Sequence, residues 1–112
     1  MRIAIPLVQG KLSLHFGHCD QFAIFEVDGD SKKVISRNDE IPPGHAPGVL
    51  PQWLGGIGVN VIIAGGMGQR AQQLFAQNGI EVVIGAQTST PEELVSAYLQ
   101  GSLVTGNNIC DH

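Results

Sequence analysis

Apolar residues run almost unbroken from Ile3 to Val8, the pattern of a strand buried on both faces. A polar, glycine-containing loop follows, from Gln9 to Gln21. Phe22 to Val27, rich in aromatic and β-branched residues, predicts a second strand. Asp28-Gly29-Asp30-Ser31 reads as a hairpin turn, so the second and third strands pair antiparallel. The third strand, Val34 to Arg37, is short and polar enough to suit a sheet edge. Residues 40–48 read as an irregular loop. Val49, Leu50, Trp53 and Leu54 then recur at helical spacing, with Pro51 in the first turn and Gly55, Gly56 and Gly58 ending the helix. Val59 to Ala64 is a fourth, buried strand. Gly65-Gly66-Met67-Gly68 opens a second helix that carries Ala71, Leu74 and Phe75 on one face and stops at Gly79. Ile80 to Ile84 is a fifth strand. Thr90 caps a third helix, Pro91 takes its first position and Glu93 completes a capping box. Leu94, Val95, Tyr98 and Leu99 supply its buried stripe, and the tail from Gly101 to His112 reads as irregular.

The order β-β-β-α-β-α-β-α predicts one α/β domain over residues 1–112. Three strands form a meander and two more are added by right-handed helical crossovers. The simplest layout is a five-stranded mixed sheet of order 3-2-1-4-5, with only strand 2 antiparallel and helices on both faces. That order reverses between strands 1 and 4, where ligands of open α/β sheets favour the carboxyl edge.

Composition narrows the setting. The chain has 112 residues, 43% of them hydrophobic, which excludes disorder and suits a single core. Net charge is −4 with only six Lys and Arg, and these form no basic stripe, so nucleic acid is not an expected partner. No apolar run approaches the ~18 residues of a membrane span. The short apolar stretch after Arg2 does not resemble a signal peptide, so the expected location is the cytoplasm. There a disulfide between Cys19 and Cys110 is not the default.

The candidate chemistry lies in the loops. His15-Phe16-Gly17-His18-Cys19 combines imidazole and thiol, donors that suit zinc, copper, iron or iron–sulfur chemistry. Its plainer reading is a loop with hydrogen-bonding histidines and a small buried cysteine. His45 stands in a proline-stiffened loop, and Cys110-Asp111-His112 closes the chain, either as a second ligand set or as a frayed end. The residues after Gly101 could span on the order of 30 Å if extended, at ~3.3 Å each, enough to recross the domain and bring Cys110 and His112 to the same edge as the other candidates. Gly65, Gly66 and Gly68 precede a helix, so their backbone can receive an anion, or the glycines simply let helix and strand pack closely. The proposed topology brings His15, His18, Cys19, His45 and the glycine turn to one sheet edge. A dinucleotide fingerprint fails because no acid ends the fifth strand, and a P-loop fails because no Lys-Ser/Thr follows the glycines. Nor does a nucleophile elbow or a His-Glu-x-x-His helix occur.

The Arg2-Ile-Ala-Ile-Pro strand, the His15-Phe-Gly-His-Cys loop followed by Phe22, and the Gly65-Gly-Met-Gly turn together resemble the dinitrogenase iron–molybdenum cofactor biosynthesis family. That family includes NifX-like carriers and the C-terminal domain of NifB-type proteins. The Pro-Pro-Gly-His45-Ala-Pro-Gly segment is similar to a stand-alone subgroup of it. The resemblance covers essentially the whole chain. It implies a ribonuclease H-like three-layer fold and the binding or delivery of iron–molybdenum cofactor or its iron–sulfur precursors. Another relative, the orange protein, holds a molybdenum–copper sulfide cluster. The radical-SAM domain of NifB-type proteins has no counterpart here.

The sequence therefore predicts a non-catalytic carrier of a metal or metal cluster, with cluster donor and acceptor proteins as partners and oligomeric state open. The alternatives are a nucleotide- or anion-binding regulatory domain using the Gly65–Gly68 turn, and a protein-interaction module without cargo.

Overall fold

In a computed structural model, residues 1–13, 19–44, 48–87, 90–103 and 105–106 are described, and all that follows concerns these. Alternation along the central strand sets the layers. In β1 (Arg2–Val8) the side chains of Ile3, Ile5 and Leu7 enter one apolar cluster and Ala4 enters the other. Both faces are thus buried, and each needs a helical cover. The chain continues through β2 (Lys11–Leu12), β3 (Gln21–Asp28), β4 (Lys33–Glu40), α1 (Val49–Gly56), β5 (Val61–Ile63), α2 (Gln69–Gln77), β6 (Glu81–Val83) and α3 (Pro91–Leu99). Leu94 and Val95 of α3 pack on the face of Ile3, Ile5, Phe25 and Ile63. Leu50 and Leu54 of α1 and Phe75 of α2 pack on the face of Ala4, Phe22 and Ile62. The result is a mixed α/β fold with one mixed sheet and three helices.

The strands lie in the order β4-β3-β1-β5-β6, with β2 paired to β1 off that path. β1 pairs antiparallel with β3 and parallel with β5. The pattern reading counts five strands; the sheet has six. The extra one hides in the stretch taken as a loop from Gln9. Gln9 (φ 53°) and Gly10 (φ 81°) form a two-residue turn that folds Lys11 and Leu12 back onto Val8 and Leu7. β2 is too short to show an alternation, and Gln is not the usual first residue of such a turn. The third strand of the pattern reading, Val34 to Arg37, is also too short. β4 runs to Glu40 because an edge strand needs no apolar alternation to stay paired.

Pro6 is tolerated in a central strand for a local reason. Its carbonyl accepts from Ser13 N at 2.9 Å on the side away from β3, where pairing with β5 has already ended at Ala4 opposite Ile62. Pro6 thus stands opposite Ser13, and the proline forgoes only the reciprocal bond of that one pair at the end of the short β2 ladder.

The turn after β3 is held by Asp28, whose Oδ1 accepts from Asp30 N at 3.0 Å; this bond keeps its carboxyl below the usual range. Tyr98 of α3 donates to Glu81 Oε2 at 2.6 Å and ties the helix to β6. Burial, then the bond to Glu81, push its phenol up to about 12, so this contribution is intact below the ordinary tyrosine range and fades as pH rises toward 12. α3 starts as its sequence predicts: Pro91 is in the first turn and Thr90 Oγ1 accepts from Glu93 N at 3.3 Å. Thr90→Ala should therefore lower stability by about 1 kcal/mol in urea unfolding, whereas Thr90→Ser should stay near wild type.

Candidate metal-cluster site

The carboxyl ends of β1 and β5 are neighbours, yet the chain leaves them in opposite directions. From β1 it passes through β2 to β3, and from β5 through α2 to β6 on the other side. Ser13 N bonds Pro6 O at 2.9 Å on the β2 side, and Asp20 N bonds Leu7 O at 2.8 Å. Both anchors of the intervening segment thus stand at the end of β1. His15 and His18 belong to that segment and lie outside the described residues. His45 lies outside them too, between Gly44 and Gly48. Its flanks follow the end of β4, where Glu40 pairs with Phe22 and Phe22 with Pro6, so they belong to the same edge.

The glycine turn is the third part of this edge. Gly65, Gly66 and Met67 are buried. Gly65 O accepts from Gly85 N at 2.9 Å, and Met67 O accepts from the Gln72 amide at 2.9 Å. Gly68 is the N-cap of α2 and provides no side-chain cap, and no acidic residue stands in the first turn. The first N–H groups of α2 are therefore free of side-chain capping by Gly68, and the helix dipole there favours negative charge.

Cys19 is the predicted ligand that the structure describes. It is buried, 4% exposed, in the same cluster as Ala64 and Met67 from the glycine turn. So the loop after β1 and the turn after β5 contribute to one apolar cluster. Burial raises its thiol to about 11, with the charge of Asp20 adding to the rise and a hydrogen bond to its own backbone opposing it. At neutral pH Cys19 is a protonated, core-packed thiol. It becomes a metal ligand only by giving up that proton. Among the described residues, no group of three or more His, Cys, Asp or Glu stands where it could hold a metal ion.

The tail returns to this edge, as its reach after Gly101 predicts, and the structure shows where it is anchored. Thr105 forms an antiparallel bridge with Ala86, and Gly106 N donates to Gly85 O at 2.6 Å. The chain after α3 has thus come back to the carboxyl end of β6, beside Gly65. Gly85 makes this approach possible. It has φ 81°, and a Cβ there would lie 2.2 Å from Gly106 O. No local sequence signal announces a pairing of positions 85 and 106. Cys110 and His112 lie outside the described residues, only a few positions beyond this anchor.

With this edge defined, a family model described as dinitrogenase iron-molybdenum cofactor matches residues 1–101. The chain belongs to that family. An uncharacterized family relative from Methanocaldococcus jannaschii is 37% identical over 106 residues, covering 92% of this chain and 89% of its own. The crystal structure of PH0822 superposes with a TM-score of 0.84 at 29% identity, over 95% of this chain and 96% of that one. The apo form of the orange protein from Desulfovibrio gigas shares the fold, with a TM-score of 0.72 at 23% identity over 96% and 93% of the two chains. The matched region holds His15, His18, Cys19, His45 and the glycine turn, whereas Cys110 and His112 fall beyond it. No helix among the described residues is long and apolar enough to cross a membrane.

Two outcomes are expected. Gly85→Ala should break the Gly106–Gly85 bond, seen as faster hydrogen exchange at Gly106, and cost about 1 kcal/mol or more because φ is positive. Cys19 should be alkylated slowly at pH 7.5 in the folded protein and faster as pH rises toward 11. Peptide mass spectrometry reads this separately from Cys110, and denaturant should remove the protection.

Proposed function

We propose that this chain is a non-catalytic carrier that binds a metal cluster of the iron–sulfur or iron–molybdenum type and hands it to an acceptor protein. The observation that carries the reading is the convergence of four chain segments at the carboxyl edge around β1, β5 and β6. The ends of the His15–His18 segment, the flanks of His45, the glycine turn and the tail anchor at Gly106 all belong to it. Family membership supports a cluster as the cargo.

In this reading His15, His18, Cys19 and His45 are the ligands, with Cys110 and His112 as a second set carried by the tail. The Gly65–Gly68 turn and the start of α2 receive the negative charge of the cluster. The donors are soft and borderline, as sulfide-rich clusters require. Loading has to draw the Cys19 thiol out of its protonated, buried state, and unloading returns it there. That return is a physical reason for release, which a carrier needs and a permanent metalloprotein does not.

The test is anaerobic reconstitution with iron and sulfide, followed by visible absorbance. Replacing His15, His18 and Cys19 together with Ala should abolish the bands while the circular dichroism of the apo protein is kept. A triple variant that loads as well as wild type would remove this loop from the site. Loading should also weaken as pH falls through the ordinary histidine range near ~6.5, because ligation needs neutral imidazole. Deleting the last three residues should speed cluster loss to a chelator without changing the thermal stability of the apo protein. Equal loss rates for the two forms would leave Cys110 and His112 without a role.

A further inference from the structure

β4 is an edge strand, bonded only to β3 among the described strands. All but one of its residues are exposed. The two most exposed large apolar side chains among the described residues are Ile35, at 66%, within β4, and Ile41, at 74%, directly after it. The length of regular edge is bounded on both sides. The register with β3 shifts at Glu26/Val27, where Ile35 is the unpaired residue between Val34 and Ser36. Pro42 ends the edge beyond Ile41, and a residue before proline is held extended. The usable segment is therefore Ile35-Ser36-Arg37-Asn38-Asp39-Glu40-Ile41, with Asn38 at its midpoint.

This segment is complementary to itself about that midpoint. We propose that a second copy of this chain adds to β4, antiparallel and edge to edge, with the two-fold axis at Asn38. Such an axis runs perpendicular to the sheet, so the same faces of both copies lie on the same side. Opposed positions then sum to an even number. With Asn38 facing Asn38, Ile35 faces Ile41 of the second copy, Ser36 faces Glu40, and Arg37 faces Asp39. Apolar meets apolar, hydroxyl meets carboxylate, and cation meets anion. The two neighbouring even registers fail. One sets Arg37 against Arg37, and the other sets Asp39 against Asp39.

Charge on an edge strand ordinarily repels indiscriminate pairing. Here it also selects the register. Within one chain Arg37 is already held by Asp39, through Nε at 2.8 Å and Nη2 at 3.0 Å, and it also pairs with Glu92 of α3. Pairing of two copies brings two such Arg–Asp units together with alternating sign. The guanidinium is already oriented by its own chain, so little further ordering is needed. The contact spans only about 24 Å of strand at ~3.4 Å per residue, which places it among small, reversible interfaces. It lies at the opposite edge of the sheet from β6 and the tail anchor at Gly85.

Sedimentation velocity of the full chain, from about 5 to 500 µM, tests this, with dissociation expected in the micromolar range. Wild type should shift from monomer to dimer across that range. I35K should weaken the dimer at least tenfold, because Lys then faces Ile41, while thermal unfolding of the monomer stays unchanged. I35K/I41E should restore it in a salt-sensitive form, since only the proposed register brings these two positions face to face. A chain that stays monomeric throughout, an I35K variant that dimerises like wild type, or an I35K/I41E variant no better than I35K would each overturn the proposal.

Discussion

β1 is hydrogen-bonded along both edges and buried on both faces, and the remaining elements take their places from that constraint. Ile3, Ile5 and Leu7 demand cover on one side and Ala4 on the other, so α3 goes to one face and α1 and α2 to the opposite one. The meander through β3 fills one edge and the crossover to β5 fills the other. Two chains of connections then depart from β1 and β5 in opposite directions, leaving a reversal point at their carboxyl ends. The candidate chemistry of the molecule is distributed over the loops at that point. A substitution that merely reduced the apolar volume of β1 would disturb the site through the scaffold and not through any ligand.

Cys19 expresses the same constraint at the site. Burial of Cys19 in the cluster that also holds Ala64 and Met67 makes this end of the loop after β1 part of the core, and the cost is a thiol that does not ionise readily. Under the proposed function, a residue placed this way would serve the apo fold as filler and the loaded form as a donor. The competition between the two states is set by proton loss and desolvation.

Long, patterned elements were legible in the sequence because their burial repeats. The two-sided run in β1, the capped start of α3 at Thr90-Pro91 and the glycine turn before α2 each carry their own local signal. What stayed hidden depends on pairing and not on pattern. β2 is two residues long, and its turn uses Gln9. β4 extends to Glu40 with an exposed, charged sequence that reads as loop. The tail's return was legible from its reach after Gly101, but its anchoring point was not: the close approach rests on the absence of a Cβ at Gly85, which no periodicity reveals. Of the predicted ligands, Cys19 is the one whose surroundings the structure describes. For His15, His18 and His45 the anchors of their segments are on the expected edge, and the side chains lie outside the described residues.

The central claim is that the carboxyl edge carries a metal cluster as cargo. The most direct measurement is elemental analysis together with visible absorbance of the protein isolated without oxygen from cells that produce it naturally. The account predicts iron, with or without molybdenum, in stoichiometric amount, and charge-transfer bands that vanish on exposure to a chelator. A protein that emerges colourless and metal-free under those conditions, or with an ultraviolet-absorbing nucleotide in place of metal, would contradict it.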